Sequence, residues 1–395
     1  MARDRGAGAG ARRRRGAAVT RILSLFSGIG ALDAAVSRVF AGEVVAHCEA
    51  DAYCRGVLDR HWPGVPCFPD VRKLTAADVG PVDVICGGFP CTDLSVAGKR
   101  AGLAGERSGL WFEYLRLVRE LRPGAVVIEN VPPLYRDLAM RRQVQEPLEA
   151  LGYRVLWTLC KASDVGAPHR RERTFALAWL PGFALPPAPS ARRMRGVASW
   201  GTPKASANTC QPGSKGHAHG IARGYLDAQV MSWPTPRAED SESRGAHRGV
   251  PDTLTAATRW ASPLASGYKG TGPVGSKSYA HRLERCLDAQ AATASSHRLS
   301  ADWVEVLMGL PVGWTLAEGE RVTIADAPSW PAPRIEGMDG ASPQYPWEPP
   351  RVVQAKTEPN RNARLKALGN AVVPQQAVFA LSRLLASAHD SRVCP

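Results

Sequence analysis

The run Ile22-Leu23-Ser24-Leu25-Phe26-Ser27-Gly28-Ile29-Gly30 decides how this chain is read. An apolar stretch of strand length opens into two glycines one residue apart, and a helical pattern follows. Glycine at such a turn lets a ligand approach the backbone at the carboxyl end of the strand. Outward from it, residues 22–180 alternate short apolar runs with helical patterns, the signature of a parallel sheet covered by helices. The strand candidates are Ile22–Phe26, Val44–Cys48, Val82–Cys86, Ala125–Ile128, Arg154–Leu159 and Thr174–Trp179. The clearest helix candidate places Leu110, Tyr114, Leu117, Val118 and Leu121 on one face. The expected fold class is therefore α/β, a sheet with helices on both faces.

At 395 residues the chain is long enough for one large domain and a smaller second one. Its formal net charge of +14 favours a polyanionic partner, because phosphate contacts release counterions. Lysine supplies only 9 of the 50 basic residues, so arginine-rich coding accounts for part of that excess. No run of 18 apolar residues appears, which speaks against a membrane span. Nine cysteines without a C-x-x-C pair argue against a zinc site and against a disulfide framework, and fit free thiols in a reducing cytosol. His61, His217 and His219 show no ligand grouping, so no metal is expected.

Composition divides the chain. Residues 1–20, with Arg12-Arg13-Arg14-Arg15, read as a disordered basic arm or a mis-assigned start, and lack a signal-peptide apolar segment. Residues 21–181 form the expected catalytic and cofactor-binding domain. Residues 182–316, rich in Gly, Ser, Pro and Arg, are expected to be a smaller, irregular domain, which the family resemblance given below implies is the target-recognition domain. They hold an echo in which Trp200, Trp233 and Trp260 each precede a turn-prone proline. Such tryptophans either stack on nucleic acid or anchor core-poor loops. A proline cluster makes 317–361 a linker candidate, and residues 362–390 a segment returning to the catalytic domain, with Pro374 a sound helix start.

Two further runs carry chemistry. Gly87-Gly88-Phe89-Pro90-Cys91 and Glu129-Asn130-Val131 each follow an apolar strand candidate, which delivers a thiol and a carboxylic acid to one sheet edge. A thiolate adding to an electron-poor ring, beside an acid that protonates the ring, activates an otherwise unreactive carbon. Glu49 ends the second strand candidate about twenty residues after the glycine loop, where an acid commonly binds ribose hydroxyls, and Asp70 follows the next apolar stretch. The loop lacks the third glycine of a dinucleotide fingerprint, which favours a nucleoside cofactor without a pyrophosphate. The segment from Ser95 to Gly109, carrying Lys99, Arg100 and Arg107, is a candidate closing loop.

Together these motifs resemble the DNA (cytosine-5)-methyltransferases, with matching order from residue 22 to about 180 and from about 298 to 380. The resemblance implies a Rossmann-like methyltransferase sheet and S-adenosyl-L-methionine as methyl donor. It implies cofactor contacts at Phe26, Gly28, Gly30, Glu49, Asp70, Pro90 and Asn370. It makes Cys91 the nucleophile and Glu129 the ring acid, with Arg171 and Arg173 holding the base carbonyl, a phosphate or Glu129. Ser95 and Asn130 fall at the substrate, and Arg298-Leu299 with Met308-Gly309-Leu310-Pro311 resembles a buttress for target recognition. Thr92, His169, Ala50 and Ala371 depart from the usual residues without touching the thiol or the acid. The implied partner is double-stranded DNA, with base flipping, a monomeric cytoplasmic enzyme of bacterial or phage origin, and a restriction endonuclease as candidate companion. The rivals are an RNA (transfer RNA) cytosine-5 methyltransferase and a catalytically silent DNA-binding paralogue.

Overall fold

The computed structural model describes residues 19–90, 109–189, 260–265, 287–291, 297–332, 344–354 and 357–390. Its frame is a seven-stranded sheet of order β3-β2-β1-β4-β5-β7-β6. The strands are β1 (Thr20–Leu25), β2 (Gly42–Cys48), β3 (Cys67–Phe68), β4 (Val84–Gly87), β5 (Ala125–Asn130), β6 (Arg154–Lys161) and β7 (Glu172–Trp179). From β3 through β5 all neighbours are parallel, whereas β7 runs antiparallel to both β5 and β6. The expectation of a parallel sheet is corrected at this end. Only residues 162–171 join β6 to β7, too few for the crossover of a dozen or more that a parallel return requires.

Helices cover both faces. On one face α1 (Ala31–Phe40) and the C-terminal helix Pro374–Asp390 pack together, and the latter also packs on β6 and β7. On the other lie Gly109–Leu121, burying Trp111, Tyr114, Leu117 and Val118, and Leu138–Ala150. Alternate strand residues feed the two faces: Ile22, Val84 and Val127 enter the first core, and Leu23, Ile85 and Val126 the second. Such parallel strands, buried on both sides, read as continuous apolar runs.

The later part of the chain joins the first core. Helix Ala301–Leu307 buries Trp303, Val304 and Leu307 there, and Trp314 donates its indole Nε1–H to the Ile29 carbonyl at 2.9 Å. Glu305 at the helix centre is buried and accepts from the Gly313 and Thr315 amides and from Arg364. The expected boundary at residue 316 therefore falls beside segments packed in this core. Within 317–361, expected to be a linker, Trp330 is buried and donates to the Val165 carbonyl, Arg351 is buried, and Val352–Gln354 pairs with His297–Leu299. Trp260 is buried edge-on against Trp303, an anchor; Trp200 and Trp233 lie outside the described residues. Among the described residues no helix is long and apolar enough to cross a membrane.

Candidate active site

Strand β1 is flanked by β2 and β4, so successive connections leave it in opposite directions. A crevice opens outside the carboxyl ends of the strands at such a switch point, and ligands bind there. Here it is a cavity of about 1190 Å³, larger than the roughly 300–1,000 Å³ of a usual small-molecule site. It is long enough to join two ends. At one lie Phe26, Gly28, Glu49 and Asp70; at the other Gly88, Pro90, Glu129 and Arg173; Asn370 also lines it.

The first end is built by the loop after β1. Phe26, Gly28 and Gly30 all have positive φ, at 55°, 55° and 76°, which folds the chain sharply back into α1. Glycine adopts that region freely, whereas a phenylalanine there needs support. The Phe26 ring stacks on Tyr114 with centroids 6.5 Å apart. Glu49 pins the loop from β2: its Oε2 accepts from Gly28 N at 2.7 Å and its Oε1 from Asp51 N at 2.8 Å. Each carboxylate oxygen keeps a further lone pair for a ligand hydroxyl. Beneath the loop Ser24 donates to buried Asp33 at 2.7 Å, and Asp33 Oδ2 lies 3.0 Å from His47 Nδ1.

Gly30 shapes the loop from behind. A Cβ on it would lie 2.3 Å from the Trp62 ring, so close packing requires the glycine there. Asp70, half-buried, accepts from Arg72 N at 3.1 Å. Two neighbouring residues are not among the candidates that the sequence motifs supply. Asp51 caps helix Ala52–His61 through the Tyr53 and Cys54 amides, and Lys366 Nζ reaches Asp51 Oδ2 at 2.9 Å. An aspartate just before a helical pattern is a signal for the cap; the partner 315 residues away leaves none.

The second end is built by the loops after β4 and β5. Phe89 packs on Trp111, centroids 5.1 Å apart, so one helix supports both this loop and Phe26. Gly88 is forced by proximity: a Cβ there would meet Glu129 Oε2 at 2.8 Å and the Glu129 carbonyl oxygen at 3.0 Å. Glu129 lies at the end of β5 with Arg173 Nε 3.0 Å from its Oε1. Burial pushes the Glu129 carboxyl above its ordinary range, and the Arg173 and Arg171 charges oppose that rise.

Asn130 and Arg171 each bond to backbone groups. The Asn130 amide donates to the Phe89 carbonyl at 3.1 Å while its Oδ1 accepts from Val131 N, so its side chain fixes the turn before Cys91. Arg171 is buried and donates to the carbonyls of Pro263 (2.9 Å), Gly369 (2.9 Å) and Ala371. Through Nη1 and Nη2 it ties the late segment to the sheet, while its buried Nε makes no hydrogen bond among the described residues. His169, also buried, lies 2.9 Å from the Leu307 carbonyl through Nε2.

Cys91 and Ser95 lie outside the described residues, as does the loop to 108. Five other cysteines are described, and burial pushes each thiol up: Cys67 to about 11, Cys48, Cys54 and Cys160 to about 12, and Cys86 well above its ordinary value. Such thiols are poor nucleophiles near neutral pH. Among the described residues no group of three His, Cys, Asp or Glu side chains could hold a metal ion.

A mostly parallel sheet with an antiparallel end strand, a glycine loop facing an acid on β2, and a buried carboxyl across the same cavity define a methyltransferase fold with a Rossmann-like sheet. Residues 20–196, a little under half of the chain, match the family model described as C-5 cytosine-specific DNA methylase. Among relatives, the type II methyltransferase M.CviJI of Paramecium bursaria Chlorella virus IL3A is 33% identical over 159 residues, 40% of this chain and 42% of that protein. M.Bsp6I of Bacillus sp. (strain RFL6) is 34% identical over 159 residues, 39% of this chain and 50% of that protein. The chain thus spans half or less of the length of these relatives. Among solved structures, the S. pombe Dnmt2 methyltransferase has a TM-score of 0.53 at 15% identity, covering 93% of this chain and 99% of that one. The Entamoeba histolytica methyltransferase EhMeth has a TM-score of 0.54 at 12% identity, covering 94% and 99%. At those identities the likeness concerns the fold.

Proposed function

We propose that this chain transfers a methyl group from S-adenosyl-L-methionine to C5 of a cytosine extruded from duplex DNA. The observation that carries the reading is the shared cavity: an acid whose pKa burial raises, Glu129, faces a nucleoside-type pocket, with the chain entering Cys91 directly after Pro90. The residues present fit the cofactor. Glu49 offers acceptors to ribose hydroxyls, Asp70 an acceptor to an exocyclic amine, and Phe26 a ring face to the adenine. When bound, the cofactor supplies an electrophilic methyl group.

The chain's own residues would do the rest. Cytosine C5 is too electron-poor to attack a methyl group until a nucleophile adds at C6. The Cys91 thiolate forms the sulfur–C6 bond while Glu129 gives its proton to N3, so the ring gains no net negative charge. The electron pair then resides at C5 as an enamine, and C5 takes the methyl. Loss of the C5 proton to water, return of the N3 proton to Glu129 and departure of the thiolate regenerate the enzyme. Arg173, 3.0 Å from Glu129, keeps that carboxyl oriented. Gly88 and Asn130 hold the turn through Phe89, two residues before Cys91 in the sequence.

C6 is hidden within a stacked duplex, so the base must be extruded, at a cost of a few kcal/mol. The +14 net charge supplies favourable backbone attraction to offset it. Labelled cofactor offered to duplex DNA, to transfer RNA and to neither tests the substrate. Counts in duplex DNA, mapped to C5 by bisulfite sequencing, are expected. Counts in transfer RNA alone would replace DNA by RNA, and none in either would leave a silent paralogue.

A further inference from the structure

Residues 260–265 form a short strip clamped against residues 168–171, the connection that leads into β7. Trp260 N donates to the Pro168 carbonyl at 2.8 Å and its indole to the Ala332 carbonyl at 2.9 Å. Ala261 N donates to Gln290 at 2.7 Å, and Ser262 Oγ accepts from Arg171 N at 3.0 Å. The Pro263 carbonyl accepts from Arg171 Nη1. A Cβ on Gly369 would lie 2.1 Å from Ala265 N and 2.2 Å from the Leu264 carbonyl carbon, so the strip presses directly on that glycine. From this fixed backbone the Leu264 side chain stands 50% exposed.

A single exposed leucine is ordinary on a protein surface. Leu264 differs in where it stands. It lines the main cavity and also an adjoining one of about 430 Å³ that includes Arg136, Arg170 and Arg173. The two cavities meet at Arg173, Leu264 and Gly369. One holds the acid suited to a pyrimidine ring; the other is lined by Arg136, Arg170, Arg171 and Arg173 against one acid, Glu172, which pairs with Arg136, a net positive lining suited to phosphate. A nucleotide with its base in the first and its phosphate toward the second would pass its sugar through the junction of Arg173, Leu264 and Gly369, where Leu264 is the apolar side chain. Extrusion strips the base of its stacking neighbours. An apolar side chain on an already ordered backbone can replace part of that contact without a further ordering cost.

We propose that Leu264 is the substrate contact that keeps the extruded nucleotide from returning to the duplex, by packing on its sugar and base edge. The proposal rests on reading the Glu129 cavity as a pyrimidine site. Its test uses the full chain and a duplex carrying its own target, located by bisulfite sequencing of DNA from expressing cells. Leu264→Ala and Leu264→Met are compared with the parent on that duplex and on one with an abasic site opposite the target cytosine, where extrusion is cheap. Leu264→Ala is expected to lose about tenfold in kcat/KM on the paired duplex. On the abasic duplex it recovers to within about threefold of the parent, Leu264→Met approaches the parent on both, and the KM for S-adenosylmethionine is unchanged. No loss on the paired duplex, or an equal loss on both, would overturn the proposal. A parent chain inactive on every duplex would instead remove the cytosine reading beneath it.

Discussion

Arg173 Nε lies 3.0 Å from Glu129 Oε1, so the carboxyl that burial would keep protonated is held by a cation from the neighbouring antiparallel strand. The two influences oppose each other, and burial prevails: the carboxyl titrates above its ordinary range. An acid poised in this way can give a proton to a ring nitrogen and take it back.

Replacing Glu129 by Gln keeps the shape and a hydrogen-bond donor but removes the transferable proton. Single-turnover methyl transfer is expected to fall by about 10² to 10⁴, with cofactor affinity retained. A loss below about threefold would show that the carboxyl takes no part in proton transfer.

The same carboxyl gives a pH prediction. A raised pKa favours the protonated form in the folded state, so its contribution to stability is present below the unfolded carboxyl pKa. That contribution is lost as pH rises through the raised folded value. Urea unfolding of the parent and of Glu129→Gln should therefore diverge in that sense, the parent losing stability relative to the variant as pH increases. Parallel curves across the range would contradict the assigned direction.

Glu49 joins the β1 loop to β2 through Gly28 N and Asp51 N. Glu49→Ala leaves both amides without that acceptor and deletes the proposed ribose ligand. Calorimetry should show cofactor affinity weakened by about 10- to 100-fold, with duplex affinity measured without cofactor unchanged. Unaltered cofactor affinity would place the nucleoside elsewhere.

Gly88 tolerates no side chain without moving Glu129, since a Cβ would sit 2.8 Å from its Oε2. Gly88→Ala should reduce turnover by at least about tenfold while leaving cofactor binding near the parent value. Normal turnover would mean that the two loops do not approach in the working enzyme.

Arg171→Ala removes the donor from three backbone carbonyls of the late segment. The expected outcome is a loss of roughly 3 kcal/mol or more in stability, seen as a lower melting temperature. The slope of duplex affinity against salt should stay the same, because both terminal nitrogens of this guanidinium are held by backbone carbonyls. A slope reduced by about one charge would return Arg171 to the DNA interface.

Much of the fold is legible in the sequence because buried parallel strands leave unbroken apolar runs, and the loops after them carry the chemistry. Ile22–Phe26 and Ala125–Ile128 fall within two residues of the observed strands. The two-residue strand Cys67–Phe68 is too short to leave a periodic signal, although the apolar stretch before Asp70 marks its place. The antiparallel turn of β7 is hidden because apolar runs do not encode direction. The backbone carbonyls that Arg171 and Asn130 bond are not legible in the sequence, since a motif gives residue type and spacing, not where a side chain points. The burial of Trp260, Trp303 and Trp314 depends on contacts across more than forty residues, which no local pattern carries.

The central claim, a thiol and an acid acting on one pyrimidine, is tested most directly by trapping. A duplex with 5-fluorocytosine at the target position is incubated with the full chain and S-adenosylmethionine, then run under denaturing conditions. A fluorine at C5 cannot leave as a proton, so the sulfur–C6 bond should persist as a covalent protein–DNA adduct with the parent and be missing with Cys91→Ala. Methylation of ordinary cytosine by the Cys91→Ala variant at the parent's rate, or an adduct mapped to a different residue, would contradict that claim.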